Sequence, residues 1–299
     1  MWPTDRYGLV HRRTALLLGR TERQLAVAVH CGELVVVARG MYILGSDLAR
    51  AEHPAVHRYR QRCIAAALGP GRPVLSHDSA AAVHGLDLLY PDRSRVHVTN
   101  GRTEGGNTRA QRLTHAGLLP DGDVVEVDGI PVTGIARTVA DVALSTARFP
   151  QALTAFDAGL RRAADRVDLE RRLGTGRRGS ALARRALSCA DGRSESPGES
   201  WSRAQMIEAG LPTPTLQVPY LLASGRRAFC DFGVDDRFVG EFDGLIKYRR
   251  EMCAGPGIAD RATRDVQRHP RCSGPSRMTP NVSIAVARAI AERRRPPHR

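Results

Sequence analysis

The sequence predicts a mixed α/β (α+β) protein made of three parts, and three stretches of the chain carry that prediction. Residues 7–43 read as helix, turn, helix and hairpin, while residues 149–187 place apolar side chains three and four positions apart, as helices do. Residues 228–248 contain two short apolar segments on either side of Asp235-Asp236, which is typical of a β hairpin. A polar stretch at 191–197 precedes this hairpin and predicts a domain boundary.

The composition favours a polyanionic partner. The 299 residues carry a net charge of +14, and of the 45 lysines and arginines only Lys247 is a lysine. Basic side chains gain free energy by releasing counterions from phosphates, so DNA is the expected partner. An arginine-rich chain is also what GC-rich codon usage produces, and the charge alone leaves both explanations open. The six scattered cysteines contain no C-x-x-C pair, which argues against a zinc site and a disulfide framework.

The chain lacks the usual membrane and export signals. No apolar run approaches the roughly 18 residues that a bilayer span requires, and the first residues have no signal-peptide core. We therefore expect a cytoplasmic protein that makes no membrane contact.

Residues 1–50 have the pattern of a winged helix-turn-helix. A first helix ends at Gly19, and Thr21 then caps a second helix that ends at Gly32. The stretch ELVVVARGMYIL alternates and turns at Arg39-Gly40, which predicts the hairpin of a wing.

A winged helix predicts which residues meet DNA. The second helix would enter a major groove with Thr21, Arg23 and Gln24 near its start, and Arg39 in the wing would lie near phosphates. Winged helices also dock proteins, and this alternative stays open on the pattern alone.

The first half of the chain resembles the AbiEi family of antitoxins from type IV toxin-antitoxin systems. The resemblance rests on four ordered blocks, which are RGMY at 39–42, VLSHDSAAAVHGL at 74–86, VHVT at 96–99 and GIPVTGIARTVADVA at 129–143. It implies a DNA-binding autorepressor, or a protein built from that module, with an AbiEi-like α/β and helical region over residues 51–190. A cognate toxin is the second candidate partner.

Polar residues in these blocks have two explanations. Ser76, His77, Asp78 and His84 lie close in sequence, as catalytic residues sometimes do, but Ser76 has the position of a helix N-cap. A catalytic triad needs its members brought together in space, so we favour the helix start. We likewise expect His97 to be a strand residue and Arg137, near Asp141, to be a structural ion-pair partner.

The hairpin at 228–248 gathers carboxylates on one face. The two-residue period of a strand puts Phe229 and Asp231 on one face of the first strand, and Val239, Glu241 and Asp243 on one face of the second. Like charges on a half-buried sheet are costly unless a cation binds them, and oxygen ligands suit Mg²⁺. Three carboxylates therefore predict a site for Mg²⁺ or Mn²⁺ at Asp231, Glu241 and Asp243.

Residues 194–250 resemble the PD-(D/E)xK nucleases, specifically the branch similar to very-short-patch-repair (Vsr) endonucleases. Asp231, Glu241 ten positions later, and the upstream Glu199 followed by Gly210-Leu211-Pro212 carry this resemblance. It implies a restriction-endonuclease-like mixed sheet with flanking helices over 191–299. It also implies catalytic roles, with Asp231 and Glu241 as metal ligands, Glu199 supporting the metal or its water, and Lys247 stabilising charge.

Two departures keep catalysis open. Asp243 occupies the place where the family has its basic residue, and Lys247 lies further along. Residues 251–280 are rich in Pro, Gly and Arg and look irregular or degraded, so we expect the sheet to be incomplete after Arg250. The alternatives are a DNA-binding protein that also cleaves DNA, a non-enzymatic regulator with an inactive nuclease-like domain, and a decayed C-terminal part.

Overall fold

The computed structural model describes residues 1–174, 176–221, 227–234, 238–242 and 284–287. The chain divides into two compact units, residues 1–197 and residues 198–299. Helices and mixed sheets occur together, which confirms the predicted fold class. No helix among the described residues combines the length and apolar character needed to cross a membrane.

The N-terminal segment is a winged helix. Its elements are β1 (Leu9–His11), α1 (Arg12–Leu17), α2 (Glu22–His30), β2 (Leu34–Ala38) and β3 (Met41–Leu44). The described strands form an antiparallel sheet in the order β1-β3-β2. The two helices and the β2–β3 hairpin confirm the prediction, whereas β1, a short strand beside β3, was not predicted.

A larger sheet follows, with helices α3 and α4 leading into it. Its described strands lie in the order β6-β7-β5-β4-β9-β8, with parallel pairs β4–β9 and β5–β7 and antiparallel pairs elsewhere. The elements are α3 (Gly45–Arg50), α4 (Pro54–Ala67), β4 (Val74–Leu75), α5 (His77–His84), β5 (Val96–Thr99), β6 (Asn107–Thr108), β7 (Arg112–His115), β8 (Val124–Val127) and β9 (Ile130–Thr133).

One hydrophobic core joins the winged helix to this larger sheet. The same buried cluster contains Leu9 and Ile43 from the N-terminal sheet, Val96 and Val132 from the larger sheet, and Ile64 from α4. Because protein interiors are close-packed, the N-terminal sheet and the larger sheet are held in a fixed relation.

Four helices complete the first unit. They are α6 (Ile135–Ser145), α7 (Phe149–Arg161), α8 (Arg166–Arg172) and α9 (Ser180–Cys189). The sequence predicted one helical stretch over 149–187 with a break at 174–179. The structure adds a second break before α8, where the side chain of Asp165 accepts hydrogen bonds from Val167 N and Asp168 N and so starts a new helix.

The second unit contains α10 (Pro197–Glu208) and a sheet in the order β10-β11-β12-β13, with antiparallel neighbours throughout its described strands. The strands are β10 (Thr215–Leu221), β11 (Arg227–Val234), β12 (Phe238–Phe242) and β13 (Ile284–Ala287). The predicted hairpin is the β11–β12 pair, although its turn lies outside the described residues.

The end of this sheet differs from our expectation. We expected the sheet to be incomplete after Arg250, but β13 pairs with β12 and adds a strand. Its sequence, IAVA, is a short apolar run that can extend a sheet edge. Residues 251–280, expected to be irregular, lie outside the described residues.

Candidate nucleic-acid interface

The start of α2 is fixed by a capping box. The side chain of Thr21 accepts a hydrogen bond from Gln24 N at 3.1 Å, and the side chain of Gln24 accepts one from Thr21 N at 2.9 Å. Both residues were predicted to contact DNA. In the structure their side chains accept hydrogen bonds from backbone N–H groups at the helix start. This is a structural role that does not involve DNA.

Arg23 points away from the protein. Leu25 and Ala28 form the buried side of α2, and the exposed Arg23, Val27 and His30 lie on the opposite side because a helix turns 100° per residue. The neighbouring Glu22 pairs with Arg12, so this carboxylate is already engaged by another arginine. The guanidinium of Arg23 is thus presented to solvent, where the sequence placed it.

Arg39 lies in the turn between β2 and β3, which we call the wing. It is exposed, and the following Gly40 has a positive φ of 71°, a conformation that favours glycine. The backbone of this turn is anchored because Arg12 N donates to Gly40 O at 2.8 Å. The position of Arg39 in the wing agrees with the sequence, and its contact with phosphates stays a prediction.

The carboxylates predicted for the nuclease-like site lie in the second unit. Asp231 is on β11, and its Oδ2 accepts a hydrogen bond from Phe242 N of β12 at 2.6 Å. The register pairs Phe232 with Gly240, so the backbone of Asp231 lies opposite that of Glu241. Metal ligation by this pair stays a prediction.

Glu199, the acidic residue predicted to lie on a helix, is in α10, whose first turn packs against β12. Gly198 packs against the ring of Phe242, and a side chain at Gly198 would collide with that ring. Glu199 follows directly, in the first turn of α10, and is buried. Asp243 and Lys247 lie outside the described residues. Within the part of the chain that is described, no group of three or more His, Cys, Asp and Glu side chains is arranged to hold a metal.

Comparison with known proteins identifies the family. Residues 73–188 match the family profile described as AbiEi antitoxin C-terminal domain. Two Mycobacterium tuberculosis proteins, uncharacterized protein Rv2248 and uncharacterized protein MT2308, are each 33% identical to this chain over 243 residues, which is 79% of this chain and 81% of theirs. The chain belongs to their family and carries an AbiEi-type domain.

A solved structure is more distantly similar. The crystal structure of the RV2827C protein from Mycobacterium tuberculosis has a TM-score of 0.39 and 18% identity, over 72% of this chain and 80% of that chain. This likeness is too distant to establish a shared fold.

The AbiEi-type domain contains a histidine cluster that the sequence did not predict. The rings of His77 and His115 stack with their centroids 3.6 Å apart, and His115 Nε2 lies 3.1 Å from His97 Nδ1. His97 Nε2 lies 3.3 Å from Asp92 Oδ2. We call His77, His97 and His115 the histidine cluster. Its members come from α5, β5 and β7, and only the fold of the sheet brings them together.

Two members of the histidine cluster, His77 and His115, favour the uncharged ring. Burial, with the charges of His115, His97 and Arg137, holds the pKa of His77 well below its usual value. Burial and the charge of His97 lower the pKa of His115 to about 4.

The helix start at Ser76 corrects one expectation. Ser76 is the N-cap of α5 by position, as predicted, but its side chain makes no capping hydrogen bond. Its Oγ lies 3.0 Å from His77 Nδ1 instead, and His77 has a left-handed backbone with φ of 50°. Because Ser76 is fully buried, its hydroxyl is not accessible to a substrate. His97 is a buried residue of β5, as expected.

Arg137 has the structural role that the sequence suggested. Its Nη1 lies 2.6 Å from Asp123 Oδ2, and its Nε lies 2.8 Å from Asp141 Oδ2. Arg172 reaches the other oxygen of Asp123 at 2.7 Å. The partly buried arginines neutralise the buried Asp123 and Asp141, so these ion pairs hold α6, α8 and the segment before β8 together.

Proposed function

We propose that the protein binds DNA through its winged helix and acts as an AbiEi-type antitoxin and transcriptional regulator. The match of residues 73–188 to the AbiEi antitoxin C-terminal domain supports the family role. The observation that carries DNA binding is the outward face of α2, where Arg23 is exposed directly opposite the buried Leu25.

In this function α2 enters the major groove. Arg23 is the residue of α2 best suited to read a base, because a guanidinium donates two parallel hydrogen bonds to guanine O6 and N7. Arg39 in the wing contacts phosphates, which position the protein without reading sequence. Thr21 and Gln24 hold the helix start rigid, so their contribution to DNA binding is through the position of Arg23.

The test is selection of a duplex from a random-sequence pool by the wild-type protein, followed by fluorescence anisotropy. Arg23→Ala should weaken binding to the selected duplex by roughly 5- to 150-fold and relax the preference at one base pair. The matched control is Arg178→Ala, which removes an exposed arginine near the start of α9. No enrichment of any duplex by the wild type would contradict DNA binding, and equal losses in both variants would contradict the groove assignment.

We propose a cognate toxin as the functional partner of the AbiEi-type domain. An antitoxin is expected to relieve growth arrest caused by a toxin gene, so the neighbouring genes should be expressed alone and together with this chain. Arrest by one neighbour that this chain relieves would support the role. Relief by an Arg23→Ala variant that no longer binds DNA would show that neutralisation does not require the winged helix.

A second candidate function is metal-dependent DNA cleavage by the second unit. Two observations favour it: the hydrogen bond that joins Asp231 to β12, and the packing of Gly198, directly before Glu199, against Phe242. Asp231 and Glu241, with Asp243 as a further ligand, would hold Mg²⁺ or Mn²⁺, while Glu199 and Lys247 support the water and the developing charge. Such a metal lowers the pKa of its bound water and neutralises phosphate charge.

Calorimetric titration of Mg²⁺ and of Mn²⁺ into the full chain tests this site. Saturable binding that Asp231→Asn abolishes is expected, because the amide keeps an acceptor for Phe242 N but loses the negative charge. The matched control is Asp47→Asn on α3. Absence of binding in a folded wild type would leave a non-enzymatic regulator with an inactive nuclease-like domain.

A further inference from the structure

A cleft of about 960 Å³ lies between the wing, α4 and the hairpin that leads into β7. Its lining is arginine-rich and also contains small apolar residues such as Val36, Ala55 and Ala66. We call this feature the arginine cleft. The arginines that line it are Arg39, Arg58, Arg62, Arg93, Arg109 and Arg112.

In the described part of the chain these arginines form no close ion pair, although Arg93 interacts electrostatically with Asp78. Carboxylates within 4.0 Å are found for other arginines, such as Arg137 and Arg172, but for none of the six in the cleft. Neighbouring positive charges repel one another, and a cleft focuses their field. The arrangement is therefore costly in isolation and favours a ligand with several negative charges.

The cleft is held in shape by its own backbone and core. Arg62 donates to the carbonyl oxygens of Arg93 and Ser94 at 3.3 and 3.0 Å and to Gln111 Oε1 at 3.1 Å. These bonds tie α4 to the segment before β5 and to the hairpin before β7. Because the N-terminal sheet shares its core with α4, the backbone positions of the wing and of α4 that carry these arginines are fixed relative to each other. We assign Arg62 a positioning role.

The lining residues distinguish a phosphate backbone from unpaired bases. Proteins that bind single strands stack bases on exposed aromatic rings. Tyr59 is the aromatic residue of this cleft, and it is only 3% exposed, with its hydroxyl bonded to Ser79 Oγ at 2.8 Å and to Arg95 O at 2.9 Å. Its ring is not available for stacking, so the cleft offers guanidinium groups for phosphates and no platform for bases.

We infer that the arginine cleft holds the phosphodiester backbone of duplex DNA beside the segment that α2 reads. This inference rests on the proposed function. Arg39 belongs both to the wing and to the cleft, so DNA contacted by the wing continues along the cleft. The AbiEi-type domain then supplies sequence-independent affinity through Arg109 and Arg112, while the winged helix supplies specificity.

Salt dependence of binding tests the arginine cleft. The Arg58→Ala/Arg112→Ala double variant should lower the slope of log K against log salt by about 2, because each phosphate contact contributes about 0.9. Affinity for a 30-bp duplex should fall on the order of 10-fold at 0.15 M salt. The control is Arg148→Ala/Arg178→Ala, which removes the same charge from exposed positions outside the cleft.

Specificity separates this inference from the proposed function. The ratio of affinities for the selected and a scrambled duplex should stay unchanged in the cleft variant and fall in Arg23→Ala. If the folded Arg58→Ala/Arg112→Ala variant had the wild-type salt slope and normal specificity, the cleft assignment would be wrong. The assignment of DNA binding to the winged helix would still stand. Absence of DNA binding by the wild type would overturn both.

An acidic protein segment is the competing occupant, because guanidinium groups also bind carboxylates. A polyglutamate peptide should not bind the wild-type protein measurably better than the double variant at 0.15 M salt. Strong peptide binding that the double variant loses, with the DNA salt slope unchanged, would show that the cleft takes an acidic polypeptide and that our assignment is wrong.

Discussion

Acidification should destabilise the first unit through the histidine cluster. In the folded protein His77 and His115 are held uncharged, because burial lowers both pKa values and the neighbouring imidazoles and Arg137 add to the effect. Unfolding exposes the rings and restores their usual pKa. The unfolded state therefore binds more protons, and the free energy of unfolding falls as the pH drops below about 6.5.

The size of the effect follows from His115. Its pKa is 6.5 in the unfolded chain and about 4 in the folded one. Linkage then gives a loss of about 2 kcal/mol between pH 7 and pH 5 from this side chain alone. His77 shifts in the same direction and adds to the loss. Asp78, whose pKa is raised by burial, acts oppositely as the pH falls, so a variant comparison is needed to isolate the histidine.

Urea unfolding followed by far-UV circular dichroism, repeated from pH 7.5 to pH 5, measures this loss. His115→Gln keeps an amide that can bond to His97 but carries no titrating group, so its unfolding free energy should fall by about 2 kcal/mol less than that of the wild type. His53→Gln removes an exposed histidine before α4 and should retain the wild-type pH dependence. Parallel curves for the wild type and His115→Gln would refute the assignment.

Three further substitutions, each compared with a second variant, test the contacts that stabilise the first unit, and urea unfolding measures each effect. Thr21→Ala should lower the free energy of unfolding by about 1 kcal/mol because it removes the capping box, and Thr21→Ser should retain most of that stability. Arg137→Met should cost about 3–5 kcal/mol by leaving two buried carboxylates without this partner, whereas Arg171→Met, at an exposed ion pair, should cost under about 1 kcal/mol. Gly159→Ala should cost about 1–3 kcal/mol, because its Cβ would lie 2.9 Å from a methyl group of Val139, and Val139→Ala should relieve that loss.

The winged helix was predictable because its signals are local. Thr21 at the start of α2 and Gly40 in the wing act on residues within one turn of themselves, so their effect is visible in a short window of sequence. β1 was missed because three residues that pair with a distant strand leave no period to detect. The same locality explains Arg137, whose partner Asp141 lies one helical turn away.

The histidine cluster and the arginine cleft were not predictable for the opposite reason. His77, His97 and His115 are separated by about 20 residues each and meet only because β5 pairs with β7 and α5 packs beside them. The expectation for Ser76 was confirmed in its position at the N-cap of α5 but not in a capping hydrogen bond, for a related reason. Capping preference identified the right residue, but the side chain bonds to the adjacent imidazole, whose position depends on the tertiary structure.

The structure shows where the excess positive charge lies, which composition alone could not. Exposed arginines without a close carboxylate, such as Arg148 and Arg178, also occur outside the cleft, so the feature that codon bias does not explain is the gathering of six arginines at one concave surface. Partly buried arginines such as Arg137 are neutralised by carboxylates, because an unpaired charge is costly away from water. In the described chain none of the six arginines of the cleft has a carboxylate within 4.0 Å, and Arg39 among them lies in the wing. A charge that the fold does not neutralise and that lies beside a winged helix is better explained by a ligand than by the genome.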